Sequence, residues 1–249
     1  MPVFDTHTYL EGYILPGVNQ NAAQVTEMLR ARGIERAVLM ASRAAQVDPL
    51  SGNRILKAMV DQTPGLYGCL VAHLNRVDAS VQAIRDLLGG RKFLGTLLTS
   101  LNPEKPLHPL LADEVLNACR RYQKPIFVLT PNAACVDVAL DLAKTYNMHK
   151  FVFLGMGGGD WRPAIAAAHE SVNIFLETSG VLDRVKIPAA VEVIGSHRIL
   201  FGSGCPNLDP AAALGLLQDS DLSATDQRRI LHESAAKLFN LDEIEASST

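Results

Sequence analysis

Short apolar segments recur along the whole chain, separated by longer stretches of mixed character. Eight such segments begin between 22 and 32 residues apart, and they start at Pro2, Ile34, Leu66, Phe93, Pro125, Lys150, Val172 and Arg198. Most are apolar throughout instead of alternating with polar residues. This pattern is typical of strands that are buried on both faces, as in a parallel sheet. The sequence therefore predicts eight strands.

The stretches between these segments carry apolar residues at helical spacing. After Asn21 the apolar positions follow one helix face, Gln24 lies three residues beyond Asn21, and Gly33 follows the last turn. A polar residue followed three positions later by Gln is typical of a helix start, and a glycine is typical of a helix end. Further helices are predicted to begin near Asn53, Asp78, Leu110, Asn132, Asp160, Leu182, Asp209 and Ser223. Asp160 is expected to cap the helix that follows it.

Alternation of strand and helix over the full length defines the expected architecture. Eight β-α units in 249 residues match the usual size of a (β/α)8 TIM barrel. We predict a single domain over residues 1–241, followed by a frayed C-terminal tail over residues 242–249. A doubly wound open sheet remains the alternative, because the pattern alone does not show whether the sheet closes.

Composition and charge limit the classes of partner. The formal net charge is −3 and 48% of the residues are hydrophobic, so the chain has no basic character suited to nucleic acid. No apolar run approaches the roughly 20 residues that a membrane helix needs. The four cysteines are widely spaced and form no C-x-x-C pair, and the chain starts without a basic leader. We expect a reduced, cytoplasmic protein with no nucleic-acid or membrane partner, and a homodimer stays an open prediction.

Chemistry in such a barrel lies at the C-terminal ends of the strands. The first strand ends in Asp5-Thr6-His7-Thr8-Tyr9, which places an acid, an imidazole and a phenol at this end. Other polar candidates follow the third, seventh and eighth strands, namely His73, Ser179, Ser203 and Cys205. We predict Asp5, His7 and Tyr9 as catalytic residues and these other four as substrate-binding residues.

Five of the predicted strands carry motifs that resemble one known family. FDTH, KPIFVLTP, KFVFLGMGG, LETSG and RILFGSGCP occur in order, and the C-terminal RRILHESAAKLFNL is similar to that family's closing helix. The sequence resembles the amidohydrolase-related family, a branch of the amidohydrolase superfamily that contains metal-dependent hydrolases and decarboxylases. The resemblance implies a TIM barrel that acts on a small carboxylated molecule.

The same resemblance implies a divalent metal, usually zinc, at the barrel mouth. In the family, two imidazoles of a D-x-H-x-H motif and donors on strands five, six and eight hold the ion. The matching positions in this chain are His7, Tyr9, Leu129, Gly155 and Gly204. Because leucine and glycine have no side-chain donor, we predict a degenerate metal site, no metal ligands and no cofactor.

Three functions remain open at this point. The first is a divergent barrel that binds a small carboxylated molecule and performs hydrolase or lyase chemistry through His7 and Asp5, without a metal. The second is a catalytically silent barrel that serves in binding or assembly. The third is a metal-dependent hydrolase or decarboxylase whose ion is held by other strand-end residues, such as Glu177 or His73.

Overall fold

A computed structural model describes residues 2–10, 21–181 and 183–241 of the protein. All eight predicted strands are present, and their first residues lie within two positions of the predicted ones. The strands are β1 (Val3–Leu10), β2 (Ile34–Ala41), β3 (Leu66–His73), β4 (Phe93–Thr99), β5 (Ile126–Leu129), β6 (Phe151–Leu154), β7 (Ile174–Glu177) and β8 (Ile199–Leu200).

The strands form one parallel sheet that closes on itself. Their order in the sheet follows their order in the chain, from β1 to β8. Closure between β8 and β1 comes from backbone hydrogen bonds: Thr6 N–H donates to Phe201 at 2.9 Å, and Gly204 N–H donates to the carbonyl of His7 at 2.9 Å. A parallel bridge between Thr8 and Cys205 extends this seam. The TIM barrel is therefore confirmed and the open sheet is excluded.

Helices cover the outside of the barrel. Those of the described residues are α1 (Ala22–Ala31), α2 (Ser42–Gln46), α3 (Pro49–Gln62), α4 (Val77–Leu87), α5 (Pro109–Cys119), α6 (Ala133–Thr145), α7 (Trp161–Glu170), α8 (Lys186–Ile194), α9 (Pro210–Asp219), α10 (Ala224–Arg228) and α11 (Ser234–Phe239). Within these ranges no helix combines the length and the apolar character needed to cross a bilayer. The predicted tail, residues 242–249, lies outside the described residues.

Helix starts follow the predicted signals in most places. Asn21 and Gln24 form the reciprocal capping pair at α1, and Ser223 caps α10. Three predictions are corrected. The helix expected near Leu182, which itself lies outside the described residues, begins at Lys186. The helix expected near Asn53 begins at Pro49, where Asp48 accepts from the Ser51 N–H. Asp160 does not cap α7, because its carboxylate accepts instead from the N–H of Ala133 at 3.1 Å.

Aromatic rings fill the barrel near the N-terminal ends of its strands. Phe239 on α11 packs against Phe4 of β1, with ring centroids 5.7 Å apart, and against Phe127 of β5 at 6.3 Å. Strands β1 and β5 lie on opposite sides of the eight-stranded barrel. The C-terminal helix therefore closes the end of the barrel that lies away from the strand C-termini. Burying rings of this size is worth roughly 1.5–3 kcal/mol each.

Asn53 completes the sheet where two neighbouring strands separate. The β2–β3 ladder ends at the pair Met40 and Cys69, so Val71 lies beyond the last backbone pairing with β2. The fully buried Asn53 accepts from the Val71 N–H at 2.9 Å and donates to the Val71 carbonyl at 2.8 Å. Its amide also donates to the Pro49 carbonyl at 2.7 Å. The Asn53 side chain thus takes the place of a neighbouring strand as hydrogen-bond partner of Val71, and it joins α3 to the barrel.

Removing this amide should destabilise the protein. Asn53→Ala leaves the buried N–H and carbonyl of Val71 without the partner that they have here, so we expect the free energy of unfolding to fall by about 2–4 kcal/mol. The matched control is Asn117→Ala on the exposed face of α5, which should change it by less than about 0.5 kcal/mol. Urea denaturation followed by circular dichroism measures both. Equal stability of the two variants would refute the role given to Asn53.

Candidate functional site

A cavity of about 280 Å³ opens at the C-terminal ends of the strands. Its walls are mostly apolar or backbone, and only a few polar side chains reach it. The lining residues are His7, Tyr9, Pro103, Glu104, Leu129, Thr130, Pro131, Leu154, Gly155, Gly158, Ser179 and Gly180. The cavity therefore lies where barrel enzymes place their chemistry, with His7 on its wall.

The imidazole of His7 is held from one side only. Its Nδ1 lies 2.7 Å from the hydroxyl oxygen of Ser179 and 3.3 Å from Oε2 of Glu177. The other ring nitrogen, Nε2, is buried and has no hydrogen-bond partner among the described residues. Tyr9 stands beside the ring, with centroids 4.9 Å apart in an edge-on arrangement. The site thus presents one uncommitted imidazole nitrogen next to a phenol.

Glu177 accepts several hydrogen bonds on the side of the imidazole that carries Nδ1. This fully buried carboxylate, at the C-terminal end of β7, accepts from the Ser179 N–H at 2.6 Å and the Ser179 hydroxyl at 2.7 Å. It also accepts from the Gly155 N–H at 3.1 Å, which ties β7 to the end of β6. Buried polar groups need hydrogen-bond partners, and both carboxylate oxygens of Glu177 have them.

Asp5 forms a second buried carboxylate below His7. It accepts from the Ser203 hydroxyl at 2.5 Å, from the Ser203 N–H at 3.0 Å and from the backbone N–H of His7 at 3.1 Å. Burial raises the pKa of Asp5 to about 6, against the lowering effect of these hydrogen bonds, and the negative charge of Glu177 raises it further. Asp5 therefore acts on the backbone that carries His7, and Ser203 is committed to Asp5.

Gly202 allows the two strands that carry His7 and Glu177 to approach closely. A Cβ at this position would lie 1.8 Å from Oε1 of Glu177 and 2.9 Å from Cβ of His7. Neither contact is tolerated by van der Waals radii, so only glycine lets the carboxylate reach its place beside the imidazole.

The remaining predicted site residues lie elsewhere. His73 is buried at the end of β3, where its Nδ1 accepts from the Asn75 N–H at 3.2 Å, and it is not among the residues that line the cavity. Burial, followed by the charge of Arg76, lowers the pKa of His73. Cys205 is fully buried with its sulfur 3.3 Å from that of Met28, and burial raises its thiol pKa to about 12. Of the seven predicted residues, His7, Tyr9 and Ser179 line the cavity.

Sequence reasoning gave no central place to Glu177 and did not include the loop after β4 in the site. Glu177 carries a readable signal, since a carboxylate at the last position of a buried strand points to the barrel mouth. Pro103 and Glu104 line the cavity from a loop that has no periodic pattern, and no local signal in the sequence identifies them.

Comparison with known proteins gives the family of the chain. A family model described as "Amidohydrolase" matches residues 4–241, nearly the whole chain. The protein therefore belongs to the amidohydrolase family, and the resemblance found in its sequence motifs is confirmed.

Solved structures share this fold at low sequence identity. A 2,6-dihydroxybenzoate decarboxylase in complex with 2,6-dihydroxybenzoate has a TM-score of 0.79 and 16% identity, over 97% of this chain and 99% of that one. A second structure is that of a dihydroxybenzoic acid decarboxylase from Polaromonas sp. JS666, with bound manganese and the inhibitor 2-nitroresorcinol. Its TM-score is 0.78 and its sequence identity is 16%, over 97% of both chains. The 5-carboxyvanillate decarboxylase of Sphingomonas paucimobilis has a TM-score of 0.77 and a sequence identity of 12%, over 96% of this chain and 99% of that one.

The expectation of no cofactor is corrected by these structures. It was based on the leucine and glycines at three ligand positions, whereas the Polaromonas decarboxylase and a 5-carboxyvanillate decarboxylase from Novosphingobium aromaticivorans both contain manganese. These structural neighbours thus hold a divalent metal. In this chain the described residues bring together no group of three His, Cys, Asp or Glu side chains able to hold an ion. They do not by themselves fit a three-ligand site.

Filling the gap at Gly202 should disturb the whole site. Gly202→Ala forces Glu177 away from His7, so we expect a loss of about 1–3 kcal/mol in the free energy of unfolding. Gly215→Ala is the matched control: a Cβ there meets nothing within 4 Å, and Gly215 lies inside α9. Alanine is the better helix former, so this control should gain up to about 1 kcal/mol. Thermal unfolding compares the two, and a stable Gly202→Ala variant would contradict the close approach.

The raised pKa of Asp5 should be visible in the pH dependence of stability. The folded state holds the Asp5 proton up to about pH 6, whereas an unfolded aspartate loses it near 3.8. Asp5 therefore contributes its full share to the free energy of unfolding below about pH 4. This contribution, about 3 kcal/mol, is lost as the pH rises from 4 through 6. Asp5→Asn, which mimics the protonated form, removes this loss. Urea unfolding of both proteins across the interval measures the difference, and a difference that does not vary with pH would refute the assignment.

Proposed function

We propose that this protein is a decarboxylase of small carboxylated ring compounds, with His7 as the group that carries the proton. The observation that supports this most strongly concerns His7, a residue on the wall of the mouth cavity: its Nε2 is buried and has no hydrogen-bond partner among the described residues. A buried polar nitrogen without a partner is costly, so a group that bonds to it is favoured. A bound substrate would supply the missing partner.

The shape and lining of the cavity support a small ring as substrate. A volume of about 280 Å³ lies at the lower end of the range of ligand pockets and suits a single substituted ring. Leu129 and Leu154, from adjacent strands β5 and β6, offer apolar contact, and Pro131 adds to the same wall. The polar groups His7 and Tyr9 lie together on β1, so a ring with one polar edge would have a defined orientation.

The relatives with known names support the reaction class. The decarboxylases that share the fold are named for 2,6-dihydroxybenzoate and 5-carboxyvanillate, both of them carboxylated aromatic molecules. We carry this over to the present chain as a substrate class, since the identities of 16% and 12% show a shared fold and not a shared substrate.

The proposed step is a proton delivery to carbon. Nε2 of His7 takes up a proton from solvent or from the acid group of the substrate. The carbon–carbon bond to the carboxylate breaks, its electron pair accepts the proton from Nε2 to form the new carbon–hydrogen bond, and CO2 leaves. Tyr9 contacts the substrate beside the imidazole, while Asp5 holds the backbone of His7 in place. Proton transfer by a positioned group contributes about 10²–10⁴-fold to a rate.

Activity on a defined panel tests this proposal. The purified protein, supplied with manganese, is incubated with monocyclic hydroxybenzoates that include 2,6-dihydroxybenzoate and 5-carboxyvanillate, and CO2 release is measured. We expect turnover of at least one member and a loss of about 100-fold or more in His7→Asn. His169→Asn, at an exposed position on α7, is the control and should keep wild-type turnover.

Two results would overturn the proposal. Wild-type protein that binds these acids and releases no CO2 from any of them would indicate the silent binding barrel. Turnover that survives in His7→Asn would remove His7 from the reaction.

A further inference from the structure

We propose that Ser179, backed by Glu177, is a positioning residue that fixes the tautomer of His7. In this arrangement the neutral imidazole carries its hydrogen on Nδ1, and Nε2 is the nitrogen that can accept a proton. The inference deepens the proposed function, since it names what prepares His7 for proton transfer. It concerns a property of the protein alone, however, and is measured without any substrate.

The first step is that Glu177 acts as an acceptor on both oxygens. Oε1 receives the backbone N–H of Ser179 at 2.6 Å, and Oε2 receives the backbone N–H of Gly155 at 3.1 Å. A backbone N–H is always a donor, so each oxygen already faces a hydrogen. Hydrogen bonds donated to both oxygens favour the ionised carboxylate, which can only accept. The carboxylate is therefore held as an acceptor.

The second step follows from the single proton of the Ser179 hydroxyl. This hydroxyl lies 2.7 Å from Oε2 of Glu177, which accepts, so the proton of the hydroxyl is used in that bond. The same oxygen lies 2.7 Å from Nδ1 of His7. Because the hydroxyl has no second hydrogen to give, it must accept at this contact, and Nδ1 must be the donor.

The third step is the consequence for the opposite nitrogen. Glu177 Oε2, at 3.3 Å from Nδ1, is a second acceptor on the same side of the ring and favours the same tautomer. A neutral imidazole carries one ring hydrogen, so Nε2 is left with its lone pair. Hydrogen bonds thus run in one direction, from His7 to Ser179 to Glu177. The proton-accepting atom is therefore Nε2 of a residue that lines the cavity.

The barrel contains a matched pair that lacks this function. Asp5 and Ser203 repeat the pairing of a buried carboxylate with a serine hydroxyl, at 2.5 Å. Here the serine oxygen accepts from the backbone N–H of Cys205 at 3.0 Å, and within the described ranges its hydrogen bonds include none to a histidine ring. The two serines are both buried and both bonded to a carboxylate, and they differ in whether an imidazole is attached.

Nitrogen NMR of histidine-labelled protein tests the inference directly. Two-bond correlations between ring hydrogens and nitrogens, recorded at about pH 9 where histidine side chains are neutral, distinguish a protonated ring nitrogen from a bare one. The signals of His7 are those missing from His7→Asn. We expect wild-type His7 to show a protonated Nδ1 and a bare Nε2, and Ser179→Ala to shift toward the form with hydrogen on Nε2. Ser179→Thr, which keeps the hydroxyl, should restore the wild-type signals.

Controls and outcomes are separate from those of the activity test. Ser203→Ala should leave the His7 nitrogen shifts unchanged, which distinguishes a specific contact from general disturbance of the mouth. A wild-type His7 protonated on Nε2 would overturn the inference even if every variant misfolded. An unchanged spectrum in Ser179→Ala would remove Ser179 from the role. If the tautomer is as stated and no substrate is turned over, the inference stands and the proposed function fails.

Discussion

The mouth of this barrel depends on two carboxylates buried beside one imidazole. Asp5 and Glu177 are both fully buried, and each is held by a serine hydroxyl and backbone N–H groups. Without these donors the charge of either group would be expensive to bury. The hydrogen bonds of Asp5 also connect β1 to the segment after β8, and those of Glu177 connect β7 to the end of β6. The bonds that stabilise the buried charges therefore also help to close the barrel.

Much of the fold could be predicted from the sequence, because burial on both faces of a parallel strand leaves a clear apolar run. The first residue of every strand was located within two positions in this way. The start of α3 at Pro49 was predicted four residues too late, although Asp48 followed by Pro49 is a local signal for a helix start. Asp160 has the residue type of a helix cap, and its tertiary contact with Ala133 prevailed over that local preference.

The candidate site was predicted only in part, for a related reason. His7, Tyr9 and Ser179 follow from their positions at strand ends. Which of several strand-end residues touch one another is set by strand register and by the glycine that allows close approach, and neither shows in local patterns. Ser179 and Ser203 look alike in sequence, yet only Ser179 contacts His7. The absence of a cofactor was inferred from single positions, and the manganese in proteins of the same fold shows the weakness of that inference.

The central claim is that His7 presents a free Nε2 to a cavity that receives a small carboxylated ring. A crystal structure of the protein soaked with 2,6-dihydroxybenzoate measures this most directly. The account predicts the ring packed against Leu129 and Leu154, with one of its oxygens within hydrogen-bond distance of Nε2. A ligand bound outside the cavity, or an Nε2 already bonded to another group of the protein, would contradict it.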